Sequence, residues 1–333
     1  DMICRADTMG VFQVESRAQM QTLPRTRPRS IEDLTVEVAI IRPGPLQGNM
    51  VHPYIRRRQG KEKIAYLHPK LKPILEETLG VILFQEQVLR SAIAIAGFTP
   101  GEADSLRRAM SRKRSRQAME ELRQRFLEGA RRNNIGEAVA TRVFHTLKGF
   151  AEYGFCKSHA AGFALLAYQS AWLKYYYPAE FYAALLNNQP MGFYTPEVIV
   201  GDAKRHGVQI LPVDINRSQG RCTVEDGKIR LGFRYVKEMG EATVANLEEA
   251  RAKAPFSSLR DFYRRTTLSR EAIENLILAG AMDCFGKPKR QLLWELGILE
   301  HSGRDALMLD YPEYQVPLPS MTELEELSAE YKV

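Results

Sequence analysis

The sequence predicts a mainly α-helical chain, with a multi-helical first part followed by a small β-hairpin and a helix–hairpin–helix module. Apolar residues recur at helical spacing through 102–131. A long, largely apolar segment lies between Ser158, a favourable helix N-cap, and Pro178, which stops a helix. Strict alternation, which is typical of strands, is confined to residues 220–234, where Asp226-Gly227 predicts the turn.

Other elements are predicted in order along the chain. Apolar runs indicate short strands at 10–14, 80–84 and 208–212. Amphipathic patterns indicate helices over 31–41, 85–96, 138–149, 197–206 and most of 235–297. The motif RPGP, which begins at Arg42, enforces an extended turn because two prolines cannot continue a helix. The Pro- and Glu-rich stretch 298–333 is predicted to be a linker.

Composition bounds the class of protein. Apolar residues make up 44% of the 333 residues and charged residues 26%, as in globular proteins that fold in water. The four cysteines lack the short spacing of a zinc or redox motif, which favours a reducing, cytoplasmic location and no structural metal. No signal peptide is visible and the longest apolar run is too short to span a bilayer, so no membrane partner is expected. The first residues have the pattern of the middle of a fold, and we expect the chain to be part of a longer protein.

Positive charge is concentrated in two windows. Residues 42–72 hold eight Lys and Arg against one Glu, and residues 90–132 hold eleven against five acids, although the whole chain carries only +7. The second window contains six cations within ten residues, namely Arg107, Arg108, Arg112, Lys113, Arg114 and Arg116. Residues four apart share a helix face, so Arg108 and Arg112 can hold one phosphate together. No acid interrupts this cluster, which favours polyanion binding over an ordinary solvated face.

The string GFAEYGFCKS, residues 149–158, is close to the ATP-binding loop G-x-x-x-x-G-K-[ST]. That loop follows a strand and has its Lys directly after the second Gly. Here the preceding segment is predicted to be helical and Lys157 comes two residues late, so an ATP loop is rejected. Gly149 and Gly154 are interpreted as bends between two helices.

The same string offers another kind of phosphate site. Ser158 is the predicted N-cap of a long buried helix, and Lys157 and His159 lie at the same end. Free N–H groups and the helix dipole bind phosphate at such an end, and His159 can add a hydrogen bond. An ordinary capped helix with an exposed Lys and His is an equal alternative on these grounds.

Two further segments are candidates with less specific chemistry. Gln85-Glu86-Gln87 follows an apolar run, and these side chains either contact a nucleotide or begin a helix, with the helix start favoured. Arg42 is placed to touch a phosphate, but its neighbouring prolines mainly shape a rigid turn.

Residues 236–251 have the pattern of a helix–hairpin–helix motif, whose glycine hairpin offers backbone N–H groups to the DNA backbone. Gly240 fits this pattern, and Lys237 lies nearby. Glu238 replaces the usual first hairpin glycine, and its charge repels phosphate, so a purely structural hairpin is the alternative. Nowhere does the sequence show the paired aspartates of two-metal phosphoryl transfer, a nucleophile elbow or a Cys–His dyad.

Six segments together resemble one family. They are GVFQVESRAQM, EVAIIRPGPLQGNMV, GVILFQEQVL, ADSLRRAMSRK, FAEYGFCKSHAAGFALLAYQSAWLKYYYPAEFYAALLN and ILPVDIN. In order and spacing, they resemble the fingers region of the bacterial DNA polymerase III alpha subunit. MVHPYIRRR and NNQPMGFYTPEVIVGDAKRHGV are more similar to the error-prone branch of this family than to the replicative branch, which stays an alternative.

The resemblance implies a DNA-directed DNA polymerase that extends a primer with deoxynucleoside triphosphates and Mg²⁺, in damage-induced mutagenesis and translesion synthesis. It implies fingers over 1–190, a connecting segment over 191–219, a helix–hairpin–helix module over 220–297 and a linker over 298–333. The family's catalytic aspartates lie in a palm upstream of GVFQVES, so Mg²⁺ is expected to bind outside this chain, which alone should be inactive. The predicted nucleotide-binding residues are Arg42, Gln85, Arg107, Arg108, Lys157, Ser158 and His159. The predicted DNA-binding residues are Arg112, Lys113, Arg114, Arg116, Lys237 and Gly240.

The implied partners are primer–template DNA, a deoxynucleoside triphosphate, accessory mutagenesis proteins and a sliding clamp. Gln315-Val-Pro-Leu-Pro is a poor match to the clamp-binding peptide of the replicative branch. The sequence therefore leaves two alternatives, a direct contact with the clamp or an indirect one. A non-catalytic nucleic-acid-binding module, with the basic windows as its footprint, is the competing hypothesis.

Overall fold

The computed structural model describes residues 1–41, 51–111, 116–151, 154–302 and 318–330. They fall into two compact units, Asp1–Tyr175 and Tyr176–Val333. The fold is mainly helical, as predicted, and its three-stranded sheet lies in the second unit. The predicted domain boundaries at 190, 219 and 297 stay predictions.

Nine helices form the part of the first unit that the structure describes. They are α1 Arg17–Thr26, α2 Ile31–Ile40, α3 Val51–Arg58, α4 Lys72–Leu75, α5 Gln85–Ala96, α6 Pro100–Ser111, α7 Arg116–Arg132, α8 Glu137–Ala151 and α9 Lys157–Tyr176. Ser16 and Ser30 start α1 and α2, because their hydroxyl groups accept hydrogen bonds from otherwise free backbone N–H groups in the first turn. Residues 10–14 form turns, so the predicted strand is wrong. Gly10 and Gln13 both have positive φ, 71° and 67°, which a strand does not contain.

The core of the first unit forms around α5. Val88 and Ile95 of this helix are almost fully buried, and Phe126 of α7 packs into the same cluster. α5 and α7 approach each other backbone to backbone at Gly129, where a Cβ atom would lie 2.0 Å from the carbonyl oxygen of Ala96. Glycine is therefore required at this helix contact.

The helix α9 is not the long buried helix that the sequence predicts. Its buried face consists of Ala160, Ala164, Ala167, Ala171 and Lys174. Its large apolar residues are exposed, among them Leu165, Leu166, Tyr168, Trp172 and Leu173. Lys174 Nζ lies 3.0 Å from Asp7 Oδ1 and 3.1 Å from the carbonyl oxygen of Met9, so this face is fixed to the N-terminal segment. Small residues, rather than large ones, bring the helix against its neighbours.

The second unit combines helices with a small sheet. Its helices in the described residues are α10 Pro178–Asn187, α11 Pro196–Arg205, α12 Glu241–Lys253, α13 Leu259–Arg265, α14 Arg270–Leu278, α15 Lys289–Ser302 and α16 Glu323–Glu330. The strands are β1 Ile210–Leu211, β2 Thr223–Glu225 and β3 Lys228–Arg230, in the order β1-β3-β2. β2 and β3 are antiparallel and joined by Asp226 and Gly227, both at positive φ, which confirms the predicted hairpin.

The core of the second unit lies between the sheet-side residue Phe233 and the helices α12 to α15. Leu247, Phe262, Leu276 and Leu292 are buried in it. α15 continues to Ser302 and α16 is helical, so the stretch predicted as a linker contains helices where the structure describes it. Its role as a linker stays a prediction.

All four cysteines are free thiols. Within the described ranges, the helices are too short or too polar to cross a membrane.

Candidate phosphate-binding site

The candidate site forms where the segments that precede α5 and α9 run side by side. Phe84 and Phe155 form a parallel bridge, in which the Gln85 N–H donates to the Phe155 carbonyl at 2.9 Å. Because the two segments are parallel, both helices begin on the same side of the bridge, and each N-terminus carries a partial positive charge. Within the described residues, the predicted strand 80–84 forms this single bridge and no longer strand.

Gln85 connects three elements of the site. Its Nε2 donates to the carbonyl of Gly154 at 2.8 Å, and its Oε1 accepts from Arg107 Nη1 at 3.4 Å. The neighbouring Gln87 is 3% exposed and accepts from two backbone N–H groups just before α5, so it holds the helix start. The favoured interpretation of this polar triplet as a helix start is therefore confirmed, while Gln85 also faces the candidate site.

Lys157 is the first residue of α9, and carboxylates surround it. Its backbone N–H donates to both oxygens of Glu86, at 3.1 and 3.0 Å. Its Nζ lies 2.5 Å from Glu77 Oε2 and 5.8 Å from the centre of the Phe84 ring. The Glu86 carboxylate thus occupies the helix N-terminus at the position where a bound phosphate is expected.

Ser158 and Gly149 differ from their predicted places. α9 begins at Lys157, so Ser158 lies inside the first turn and is not the N-cap. Its Oγ is 3.0 Å from Cys156 Sγ. Gly149 lies within α8, and only Gly154 is in the connection between the two helices. The cap is provided by Glu86, a carboxylate from another helix, which no local pattern around Ser158 indicates.

His159 belongs to a row of aromatic rings. Its ring centre lies 5.2 Å from that of Phe155 and 4.4 Å from that of Phe163, both edge to face. Phe163 in turn stacks on Phe12 at 5.4 Å. His159 and Phe12 are exposed, so the row begins at the phosphate site and ends at the surface.

Arg107 and Arg108 share one carboxylate. Arg107 Nη2 lies 2.9 Å from Asp104 Oδ1, and Arg108 Nε lies 2.7 Å from Asp104 Oδ2. The hydrogen bond from Arg107 and the charges of both arginines lower the pKa of the Asp104 carboxyl group. The Arg108 side chain is 67% exposed and that of Arg107 only 23%, so Arg108 is the more accessible cation.

Comparison with known proteins identifies the region that contains the α5 and α6 side of this site. Residues 1–134 match the family described as the bacterial DNA polymerase III alpha subunit finger domain, and residues 207–292 match a helix-hairpin-helix motif. An error-prone DNA polymerase of Corynebacterium efficiens is 50% identical over 327 residues, which is 98% of this chain and 30% of that protein.

The chain belongs to the bacterial DNA polymerase III alpha subunit family.

Other error-prone DNA polymerases are 46–52% identical to the chain. The error-prone DNA polymerase of Corynebacterium glutamicum is 52% identical, over 90% of this chain and 28% of that protein. That of Anaeromyxobacter sp. strain K is 46% identical, over 99% of this chain and 30% of that protein. The chain therefore spans about a third of the length of these relatives of the polymerase III alpha family.

Several of the predicted site residues lie outside the part of the chain that the structure describes. These are Arg42, Arg112, Lys113 and Arg114. Arg116 begins α7, but its side chain is not described. The structure thus brings together Gln85, Arg107, Arg108 and Lys157 with the flanking Ser158 and His159.

The predicted hairpin lies within residues 207–292, the part of the chain that matches a helix-hairpin-helix motif. Lys237 and Glu238 are exposed, and Glu238 has φ of 62°, a conformation that favours glycine. Gly240 is the N-cap residue of α12, and no atom lies within 4 Å of the place of its missing Cβ. The backbone therefore has the form of a glycine hairpin although Glu238 occupies the first position.

Sequence reasoning missed the acidic partners of the site. Glu77, Glu86 and Asp104 contact the cations that were predicted to bind phosphate. Asp104 could have been found, because it lies three and four residues before Arg107 and Arg108 on one helix. Glu77 and Glu86 are 80 and 71 residues from Lys157, so their pairing depends on the tertiary fold.

Proposed function

We propose that the whole protein is a DNA-directed DNA polymerase of the error-prone type. In this proposal the first unit contacts the incoming deoxynucleoside triphosphate, and the hairpin at Lys237–Gly240 contacts primer–template DNA. The observation that carries the proposal is the assembly of Gln85, Arg107, Arg108 and Lys157 beside two helix N-termini. Gln85 and the two arginines lie within the region that matches polymerase fingers, residues 1–134. The names of the relatives support the activity.

A triphosphate is the ligand that suits this assembly. Each cation is already held in place by a carboxylate, Lys157 by Glu77 and the two arginines by Asp104. A triphosphate carries more charge than one carboxylate, so it can replace these acids as the partner of the same cations. Arginine and lysine at this place stabilise negative charge that grows on the leaving pyrophosphate during nucleotidyl transfer.

The aromatic row gives the rest of the nucleotide a surface. His159 lies beside Lys157, and its ring is continued by Phe163 and Phe12. Stacking on aromatic rings tolerates any base, because every base has a π-face. A site that combines fixed phosphate contacts with tolerant stacking suits a polymerase that accepts all four nucleotides.

The acids of the site do not fit Mg²⁺. Glu77 pairs with Lys157, Glu86 accepts from the α9 N-terminus, and Asp104 is held by two arginines. A two-metal centre needs carboxylates that are free to coordinate. We therefore assign these acids no metal and propose that Mg²⁺ is held by other parts of the whole protein.

The remaining partners rest on the likeness to relatives. Arg112, Lys113, Arg114 and Arg116 are proposed to contact DNA with Lys237 and Gly240. Accessory mutagenesis proteins, a sliding clamp, a cytoplasmic location and a role in translesion synthesis are proposed on the same basis. The replicative branch of the family is the second candidate, although the relatives compared above are all named error-prone DNA polymerases.

Steady-state primer extension by the full-length polymerase tests the nucleotide site. We expect Arg108→Ala and Lys157→Ala each to raise KM for deoxynucleoside triphosphate about tenfold, because each removes a charge-assisted contact worth roughly 1.5–3 kcal/mol. The Kd for primer–template DNA should change less than twofold. Arg125→Ala is the matched control, since Arg125 is 57% exposed and pairs with Glu102 at 2.7 Å, much as Arg108 pairs with Asp104.

Equal losses in nucleotide use and DNA binding would contradict the triphosphate assignment. They would favour the competing hypothesis of a non-catalytic nucleic-acid-binding module. An unchanged KM in both variants would exclude the site altogether.

A further inference from the structure

A second cluster of cations lines a cleft that shares no residue with the candidate site. The cleft has a volume of about 650 Å³ and lies between the end of α1, the connection to α2 and the end of α3. Its lining residues are Arg25, Thr26, Arg27, Arg29, Asp33, Arg58, Gln59 and Lys61. Five are cations and one is an acid, and none has an aliphatic or aromatic side chain.

One acid and one cation of the cleft neutralise each other and form its rigid wall. Asp33 pairs with Arg58 and also accepts from the Arg29 N–H at 2.9 Å. Arg58 Nε donates to the carbonyl of Thr26 at 3.0 Å, and Gln59 Nε2 donates to the carbonyl of Arg25 at 3.2 Å. These side chains satisfy carbonyls at the C-terminal end of α1, where negative partial charge otherwise repels an anion.

Four cations of the cleft are left over. Arg25, Arg27, Arg29 and Lys61 are exposed, and within the part of the chain that the structure describes their side chains have no ion pair or hydrogen bond. Arg27 follows the last residue of α1 at φ of 49°, and its N–H donates a hydrogen bond to the Leu23 carbonyl at 2.8 Å, which holds it there. The four cations are therefore exposed on a fixed backbone and are not paired with carboxylates, unlike Arg107, Arg108 and Lys157.

We propose that this cleft binds the phosphodiester backbone of a DNA strand, without reading its sequence. Guanidinium groups match phosphate oxygens in geometry and charge, and the lining of the cleft has no aromatic ring on which a base could stack. The volume exceeds that of a single phosphate group, so the cleft admits consecutive phosphates of a strand. A free polyphosphate offers the same oxygens, so the test must distinguish binding of a DNA strand from binding of a free polyphosphate.

Fluorescence anisotropy with a labelled 20-nucleotide oligo(dT) and the full-length protein tests the proposal. The test variant combines Arg25→Gln, Arg27→Asn and Lys61→Gln, with Asn chosen because it tolerates positive φ. We expect the slope of log K against log salt to become shallower by about 2, since each lost contact to single-stranded DNA removes roughly 0.7. KM for deoxynucleoside triphosphate should stay unchanged, which separates this site from the proposed nucleotide site.

The control variant combines Lys70→Gln, Arg131→Gln and Arg132→Gln, which removes the same charge from exposed positions outside the cleft. An equal change of slope in both triple variants would overturn the proposal. Thermal unfolding checks that both variants fold, and Arg29→Gln alone, with an expected slope change of about 0.7, replaces the triple variant if that one unfolds early.

Inorganic tripolyphosphate, titrated against the wild-type protein and the test variant, separates the two sources of phosphate. Tripolyphosphate that competes with oligo(dT) only at millimolar concentration supports the strand assignment. Micromolar binding of tripolyphosphate that is lost in the variant, with oligo(dT) binding retained, would overturn it.

Discussion

Glu37, on α2, is the residue whose burial conflicts most with its charge. It is 1% exposed, and neither carboxylate oxygen has a hydrogen-bond partner among the described residues. Burial raises the pKa of this carboxyl group to about 7, against a smaller opposing effect of the Thr26 hydroxyl. Glu37 is therefore one titratable group through which pH acts on the stability of the first unit.

We expect Glu37→Gln to remove a pH dependence of stability. The pKa of a glutamate is about 4.3 in an unfolded chain, so ionisation of Glu37 destabilises the fold as pH rises from there through 7. Below pH 4.3 the residue is neutral in both states and costs nothing. Urea unfolding of the chain at pH 5 and pH 8 measures this dependence, and at pH 5 the variant should be more stable than wild type by only about 1 kcal/mol. At pH 8 it should be more stable by about 3 kcal/mol.

The control for this prediction is Glu121→Gln, an exposed glutamate on α7. Its stability should follow that of the wild-type chain at every pH. A constant difference between Glu37→Gln and wild type from pH 5 to pH 8 would show that Glu37 does not titrate with the fold.

At the scale of elements, the helix–hairpin–helix turn keeps glycine-like geometry without its first glycine. Glu238 is at φ of 62° and exposed beside Lys237. The strain of a side chain in this conformation is about 1 kcal/mol. We expect Glu238→Gly to raise the free energy of unfolding by about that amount and to tighten duplex DNA binding up to fivefold by removing a repulsive charge.

Glu238→Gln separates the two effects, because it removes the charge and keeps the side chain. It should tighten DNA binding to a similar extent and leave stability nearly unchanged. Binding that is unaffected by either variant would show that the hairpin is structural and does not contact DNA.

The helix α9 shows where sequence patterns succeed and where they fail. The length of the helix and its stop before Pro178 were predicted correctly, since proline and apolar content act locally. The prediction that the helix is buried was wrong for its large apolar residues, because Ala160, Ala164 and Ala167 pack inward while Leu165 and Leu166 are exposed. Hydrophobicity alone favours neither face of this helix, whereas close helix approach requires small residues, and that requirement comes from the neighbouring elements.

The candidate site shows the same division between local and long-range information. Its cations were found because they are clustered in sequence or lie at a helix start. Glu86, which caps α9 from 71 residues away, and the parallel bridge between Phe84 and Phe155 depend on the tertiary fold. The sequence therefore identifies the cations of the candidate site, but not the carboxylates that pair with them in the structure.

At the scale of the whole molecule, charge is arranged in two different ways. At the candidate nucleotide site each described cation has a carboxylate beside it, so binding there is an exchange of partners. In the cleft Arg25, Arg27 and Lys61 have no such partner within the described residues, so binding there is a gain of new ion pairs. Binding by exchange of ion-pair partners is expected to be selective for highly charged ligands. Binding by formation of new ion pairs is expected to depend strongly on salt.

This difference predicts how the protein binds a DNA strand. The four unpaired cations of the cleft should contribute about −3 to the slope of log K against log salt with oligo(dT), since single strands contribute roughly 0.7 per neutralised phosphate. An oligonucleotide of the same sequence with an uncharged methylphosphonate backbone should bind at least ten times more weakly, because phosphate charge supplies most of the sequence-independent affinity. Anisotropy titrations between 50 and 300 mM salt measure both quantities. A methylphosphonate strand that binds as tightly as DNA, with a slope near zero, would mean that base contacts rather than backbone charge hold the strand on this molecule.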